Sequence, residues 1–144
     1  MKYKLTKTSF YILSFTWGLP LTLVGLLVSF VMIITGHKPQ KYGWTWYFDA
    51  GENWGGSEFG ICFVKAHDEG ESICRHEFGH GIQNCIYGPF TPIVVNLPSS
   101  ARYWYRRIAR RFGKKFKRGY YDVWFEKEAD VLGEYYRENI MKEQ

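Results

Sequence analysis

Several things are scarce in this sequence. From Thr8 to Gly36 it has no charged residue, and from Arg102 to Arg118 it has nine Lys and Arg but no acid. It has three cysteines, Cys62, Cys74 and Cys85, in no C-x-x-C pair, and only four histidines. An odd, scattered set of cysteines excludes a disulfide framework and a cysteine-type zinc site. It mildly favours a reducing compartment. The net charge of +5 is therefore one local patch, because the remainder of the chain is acidic. At 144 residues the chain has room for one small domain. Aromatic residues are plentiful at 19%, with six Trp and eleven Tyr. Such a surplus points to an interface with membrane or protein.

The uncharged run is long enough to be a transmembrane helix. Tyr11 and Trp17 suit an interfacial belt, and Pro20 is tolerated as a kink. A cleaved signal peptide fits less well, since the run is too long and no A-x-A-like site follows. Residues 1–36 are thus expected to be a tail and a single membrane span, and residues 37–144 a separate domain. Lys2, Lys4 and Lys7 favour an inside N-terminus, but nine basic residues after the span outweigh these three and favour a cytoplasmic domain.

After a polar linker, Tyr42 to Phe48 and Glu58 to Lys65 read as two strands around the turn Asp49 to Gly56. Their spacing predicts a β-hairpin. Glu71 to Tyr87 reads as a helix. Polar and acidic residues from Asp68 to Ser72 start it, and Gly88-Pro89 stops it. Within it lies His76-Glu77-Phe78-Gly79-His80, the pattern H-E-x-x-H. Positions i and i+4 share a helix face, so His76 and His80 can aim two imidazoles at one metal, with Glu77 as general base. Gly79 and Gly81 are poor helix formers, which suggests close approach of another backbone or of substrate.

Pro89 to Ser99 contains three prolines and is expected to be irregular, at membrane level or packed on the core. Ser100 can cap a helix over 101–112. Ala101, Trp104, Tyr105, Ile108 and Phe112 fall on its apolar face, and Arg102, Arg106, Arg107, Arg110 and Arg111 on the other. That is a basic amphipathic helix suited to an anionic membrane surface. Trp104, Arg106, Arg107, Ile108, Arg110 and Arg111 are its expected lipid contacts. Nucleic-acid binding is a weaker use of the same residues. Lys114 to Gly119 reads as a loop, and 122–140 as the last helix, with Asp122 as its cap.

A catalytic zinc takes three protein ligands and leaves one position open. His37 and His67 are available in sequence, but a carboxylate on the last helix is the expected third ligand. Here the chain resembles the gluzincins, zinc peptidases with H-E-x-x-H and a downstream Glu. Glu126, Ala129 and Asp130 match the E-x-x-A-D of CAAX-prenyl-protease-like membrane peptidases, and more loosely the E-x-x-x-D of thermolysin. The resemblance implies Glu126 as third zinc ligand and Asp130 as a partner that hydrogen-bonds a ligand imidazole. Helix phase agrees, since Asp130 shares a face with Glu126. Glu128 is turned away from Glu126 by roughly 200° and should meet solvent beside Lys127 or Arg137. The chain is also similar, over about residues 55–138, to short membrane-anchored bacterial proteins. These share an H-E-[FY]-G-H helix, a Gly-Pro after it (Gly88-Pro89) and a Leu-Pro-Ser (Leu97-Pro98-Ser99).

The expectation is an α+β chain: an N-terminal transmembrane helix, then a minimal zincin domain. That domain has a β-hairpin, the H-E-x-x-H helix, a basic amphipathic helix and a C-terminal Glu-bearing helix. Its expected function is endopeptidase hydrolysis of a protein or peptide by a zinc-activated water, with one zinc per chain. A catalytically inactive zinc protein acting as an adaptor is the alternative. Tyr120, Tyr121 and His67 are the candidates for stabilising the oxyanion.

Overall fold

Glu71–Tyr87 forms one unbroken helix, α3, with the bounds that its glycine-proline stop and polar start predict. Its N-cap is Gly70, with no side-chain cap; the acidic residue in its first turn is Glu71. Gly88 ends it at φ 56, a conformation that favours glycine. The coordinates are a computed structural model, which describes residues 5–52, 56–119 and 122–141. Among these residues the fold is α+β, with five α-helices and a four-stranded mixed sheet. The helices are α1 (Lys7–Phe15), α2 (Leu19–Ile34), α3, α4 (Leu97–Arg111) and α5 (Trp124–Met141). The strands are β1 (Gln40–Tyr42), β2 (Thr45–Asp49), β3 (Ser57–Glu58) and β4 (Cys62–Lys65), in sheet order β1-β2-β4-β3.

The expected hairpin does not form. β2 and β4 lie side by side in parallel, with Trp46 opposite Cys62 and Asp49 opposite Lys65. Gly60 is the cause. Its φ of 78 breaks the predicted strand over 58–65 into β3 and β4, which pair antiparallel with each other. Reversing direction once more before β4 makes β4 run with β2. β3 is left as a two-residue edge strand.

The uncharged N-terminal run also folds differently from a single span. α1 and α2 meet at 94°, and no single helix among the described residues is long and apolar enough to cross a membrane; only the bent pair passes together. The break falls at Thr16 to Gly18, just before Pro20, and tertiary hydrogen bonds hold it there. Asn84 Nδ2 donates to Gly18 O at 3.2 Å, Trp17 Nε1 to Ile86 O at 3.2 Å, and Thr22 Oγ1 to Ser14 O at 2.6 Å. α1 then packs on α3. Phe10 is fully buried with Trp44, Ile61, Phe78, Ile82 and Tyr136. Residues on both sides of position 36 therefore share one core. Burying a Phe of this kind contributes about 2–3 kcal/mol.

The proline-rich stretch after α3 is helical rather than irregular. A 3₁₀ turn (Gly88–Phe90) runs into a π turn (Pro92–Asn96) and then α4, which starts before Ser100. Pro89, Pro92 and Pro98 each sit at the start of a helical piece, where no N–H partner is needed. α3 and α5 pack against each other through small residues. A Cβ on Gly79 would collide with the Ala129 carbonyl, and one on Gly133 with the Arg75 carbonyl. Buried Ala129 completes the contact, so backbone approach accounts for Gly79.

Candidate metal centre

The close approach of α3 and α5 carries three donors to one point. His76 Nε2 lies 2.9 Å from Glu126 Oε2, His80 Nε2 lies 3.3 Å from the same oxygen, and the two imidazole nitrogens are 3.1 Å apart. His76 and His80 come from one face of α3, and Glu126 comes from the first turn of α5. All three are buried, and among the described residues they are the group that can hold a metal ion. The spacing fits the chemistry. Donors about 2.0–2.2 Å from a tetrahedral zinc stand roughly 3.3–3.6 Å apart, so small outward shifts would admit the ion.

Each donor is oriented by a further hydrogen bond. His76 Nδ1 is 2.8 Å from Asp130 Oδ1, and His80 Nδ1 is 2.7 Å from Gln83 Oε1. Both contacts place the N–H on Nδ1 and leave Nε2 for a metal. Gln83 in turn donates from Nε2 to Phe125 O at 2.8 Å, and Ser99 Oγ donates to Glu126 Oε1 at 2.6 Å. Gln83 and Ser99 were not singled out in the sequence as site residues. Gln83 had a signal, because it follows His80 by three positions on the same helix face. Ser99 ends the Leu97-Pro98-Ser99 stretch at the start of α4, yet nothing local in the sequence ties it to Glu126.

The electrostatics of the cluster favour positive charge. Burial alone would lower the His80 pKa, but the Glu126 hydrogen bond and the charges of Glu77, Glu126 and Glu58 outweigh it and raise it to about 9. His76 is raised in the same way, against burial, first by its hydrogen bond to Glu126. Burial would raise Glu126, but the hydrogen bonds from His76 and His80 hold it well below the usual carboxylate range. Burial pushes the Glu77 carboxyl up, and the neighbouring histidines oppose this. Glu77 is buried and makes no hydrogen bond or ion pair among the described residues. A Cβ on Gly56 would land on its carboxylate, so glycine there leaves the group its space. His76, Glu77, His80 and Glu126 all line a cavity of about 990 Å³, walled by α2, β3 and α4.

The other expected site residues are placed as follows. Trp104 and Ile108 are exposed, at 56% and 54%, and so are Arg107, Arg110 and Arg111. Arg106 is not a surface residue. It is 6% exposed, its guanidinium lies 4.4 Å from the Phe116 ring centroid, and Nη2 donates to Arg118 O at 2.9 Å. The helical wheel missed this because the 114–118 loop folds back over one part of the basic face. Glu128 does not point to solvent. It accepts from Tyr87 Oη at 2.8 and 2.9 Å and so ties α5 to the end of α3. His37 contacts Thr35, and exposed His67 contacts Asp49, so neither joins the cluster. Lys2, Lys4, Tyr120 and Tyr121 lie outside the described residues.

Glu58 is a further acid of the site, placed there by the two-residue edge strand β3 and marked by no motif in the sequence. It lines the same cavity at 5% exposure; Oε1 accepts from Gly60 N–H, while Oε2 has no hydrogen bond among the described residues. Burial, helped by the Glu77 charge and opposed by His80 and the Gly60 N–H, raises its pKa from 4.5 to about 7. The folded protein then holds a proton on Glu58 that the unfolded chain has released. Stability from this group is full below pH 4.5 and is lost as pH rises to 7. Glu58→Gln should therefore match wild type near pH 4.5 and exceed it by roughly 3 kcal/mol above pH 7 in metal-free protein. Urea unfolding at the two pH values measures this, and a pH-independent difference would exclude it.

No family model, curated protein or solved structure matches the chain.

Proposed function

We propose that the protein is a membrane-associated, zinc-dependent endopeptidase of gluzincin type. The observation that carries this reading is the convergence of His76, His80 and Glu126 on one point, with the Glu77 carboxylate beside them in one cavity. His76, His80 and Glu126 would hold the ion through Nε2, Nε2 and Oε2. An ion bound there supplies a water of near-neutral pKa and a positive charge for the substrate carbonyl oxygen. Glu77, buried and without a hydrogen bond or ion pair among the described residues, takes a proton from the attacking water and returns it to the leaving amine. Asp130 and Gln83 hold the two imidazoles in the tautomer that leaves Nε2 free, and Ser99 holds the other oxygen of Glu126. β3 is a sheet edge lining the cavity, and a substrate strand can add to such an edge.

Exposed apolar side chains support membrane association. On α2, Leu23, Leu27, Phe30, Ile33 and Ile34 are 53–65% exposed, and Ile93, Leu97 and Phe112 of the later helices are 64–86% exposed. Faces of this kind mark contact with lipid or protein. The bent pair α1 and α2 enters the bilayer in this reading, and the apolar face of α4 rests on it.

Elemental analysis of purified full-length protein tests the centre. About one zinc per chain is expected, absent in His76→Ala. Folded wild type that takes up no zinc would remove the peptidase reading.

A further inference from the structure

The cavity that holds the candidate centre is unevenly charged. Its acids, Glu58, Glu77 and Glu126, all stand at the end near the histidines. Its basic lining comes from α4, where Arg107, Arg110 and Arg111 face the same space. None of these three forms an ion pair among the described residues. Arg107 donates only to the Tyr103 hydroxyl, at 3.1 Å, and lies 5.6 Å from the Trp104 ring centroid. No acid occurs between 102 and 118 to neutralise them. A row of exposed guanidinium groups along a cleft sets up a field that attracts anions and offers forked donors to carboxylates.

The position of α4 gives the row a reading frame. Ser99, in the first turn of α4, touches the centre through its 2.6 Å hydrogen bond to Glu126. Residues 99, 103, 107 and 110 follow one face of the helix. With a rise of about 1.5 Å per residue, Arg107 stands roughly 12 Å and Arg110 roughly 16 Å along the axis from Ser99. An extended peptide covers those distances in roughly four and five residues. Given the peptidase reading, on which this rests, we infer that Arg107 and Arg110 select substrates. The preferred substrates are peptides with acidic residues roughly four and five positions to one side of the bond cleaved. The two arginines are specificity determinants, not catalytic groups. Their place inside the cleft favours this use over lipid headgroups, for which Tyr105, Ile108 and Phe112 mark a separate, more apolar face of α4.

The experiment uses full-length, zinc-loaded Glu77→Gln protein in mild detergent, so that binding is read without turnover. Labelled short peptides carry Asp, or Asn in its place, four and five positions to either side of a central bond, and affinity is measured by fluorescence anisotropy. Asp on one side should bind about tenfold more tightly than Asn, as two partly screened ion pairs allow, and raised salt should erase the gain. Adding Arg107→Gln and Arg110→Gln should remove the preference and leave zinc content unchanged. In the active protein, the same pair of changes should raise KM for acidic peptides with little effect on kcat. Equal binding of Asp and Asn peptides, or a preference that survives the double substitution, overturns the inference. So does loss of binding to phosphatidylserine-containing vesicles in the double variant with its peptide preference intact, which assigns the arginines to lipid. A peptide preference that depends on the arginines in a protein whose wild type cleaves nothing would instead overturn the peptidase reading.

Discussion

Glu126→Ala should give a folded protein that holds no zinc and cleaves no peptide. Glu126 is 1% exposed and its Oε2 is the oxygen shared by both imidazoles. Alanine there removes one of three donors and leaves His76, His80 and the Ser99 hydroxyl facing an empty position. Two histidines on one helix remain, which is too few for a catalytic zinc. The neighbouring substitutions should behave differently. Asp130→Ala removes the partner of His76 Nδ1 and should lower zinc affinity or activity by about 10 to 100-fold. Glu128→Ala should keep the metal but lose about 1–3 kcal/mol of stability, because the Tyr87 hydroxyl loses its acceptor between α3 and α5. Zinc titration with urea unfolding of the three variants checks the order. Metal lost from Glu128→Ala but kept by Glu126→Ala would reverse the assignment.

Glu77→Gln should keep both fold and zinc and lose about 10² to 10⁴-fold in peptide-bond cleavage, the usual contribution of a general base. Glutamine fills the same volume. Since Glu77 makes no hydrogen bond or ion pair among the described residues, its replacement breaks none there. Stability should not fall, because burial disfavours the charge that Gln removes. A readout is available before any substrate is known. Comparing peptides from cells that carry wild type with those that carry Glu77→Gln should reveal cleavage products made only by wild type. Turnover of such a substrate by Glu77→Gln at the wild-type rate would exclude Glu77 as base.

What could be read along the chain was whatever a single helix can carry. The limits of α3, the shared face of His76 and His80, and the shared face of Glu126 and Asp130 all follow from a helical repeat and end signals that lie within a few residues. The same local logic opposed Glu126 to Glu128 and placed Glu126 on the face that meets the histidines. It also attributed Gly79 to a close approach, which proved to be that of the Ala129 carbonyl.

Pairwise distances between remote segments carried no such signal. The uncharged run from Thr8 to Gly36 has the composition of one span, and its 94° bend depends on Asn84 and Ile86, some seventy positions on. The two strands had hairpin spacing, and a positive φ at Gly60 reversed the second strand and made the pairing parallel. The wheel of α4 put Arg106 with its neighbours in water, and the 114–118 loop, invisible to any helical period, buried it against Phe116. Gln83, Ser99 and Glu58 joined the site for the same reason. A side chain's local pattern sets which way it points from its own element, and the packing of α3, α4, α5 and β3 sets what it meets there.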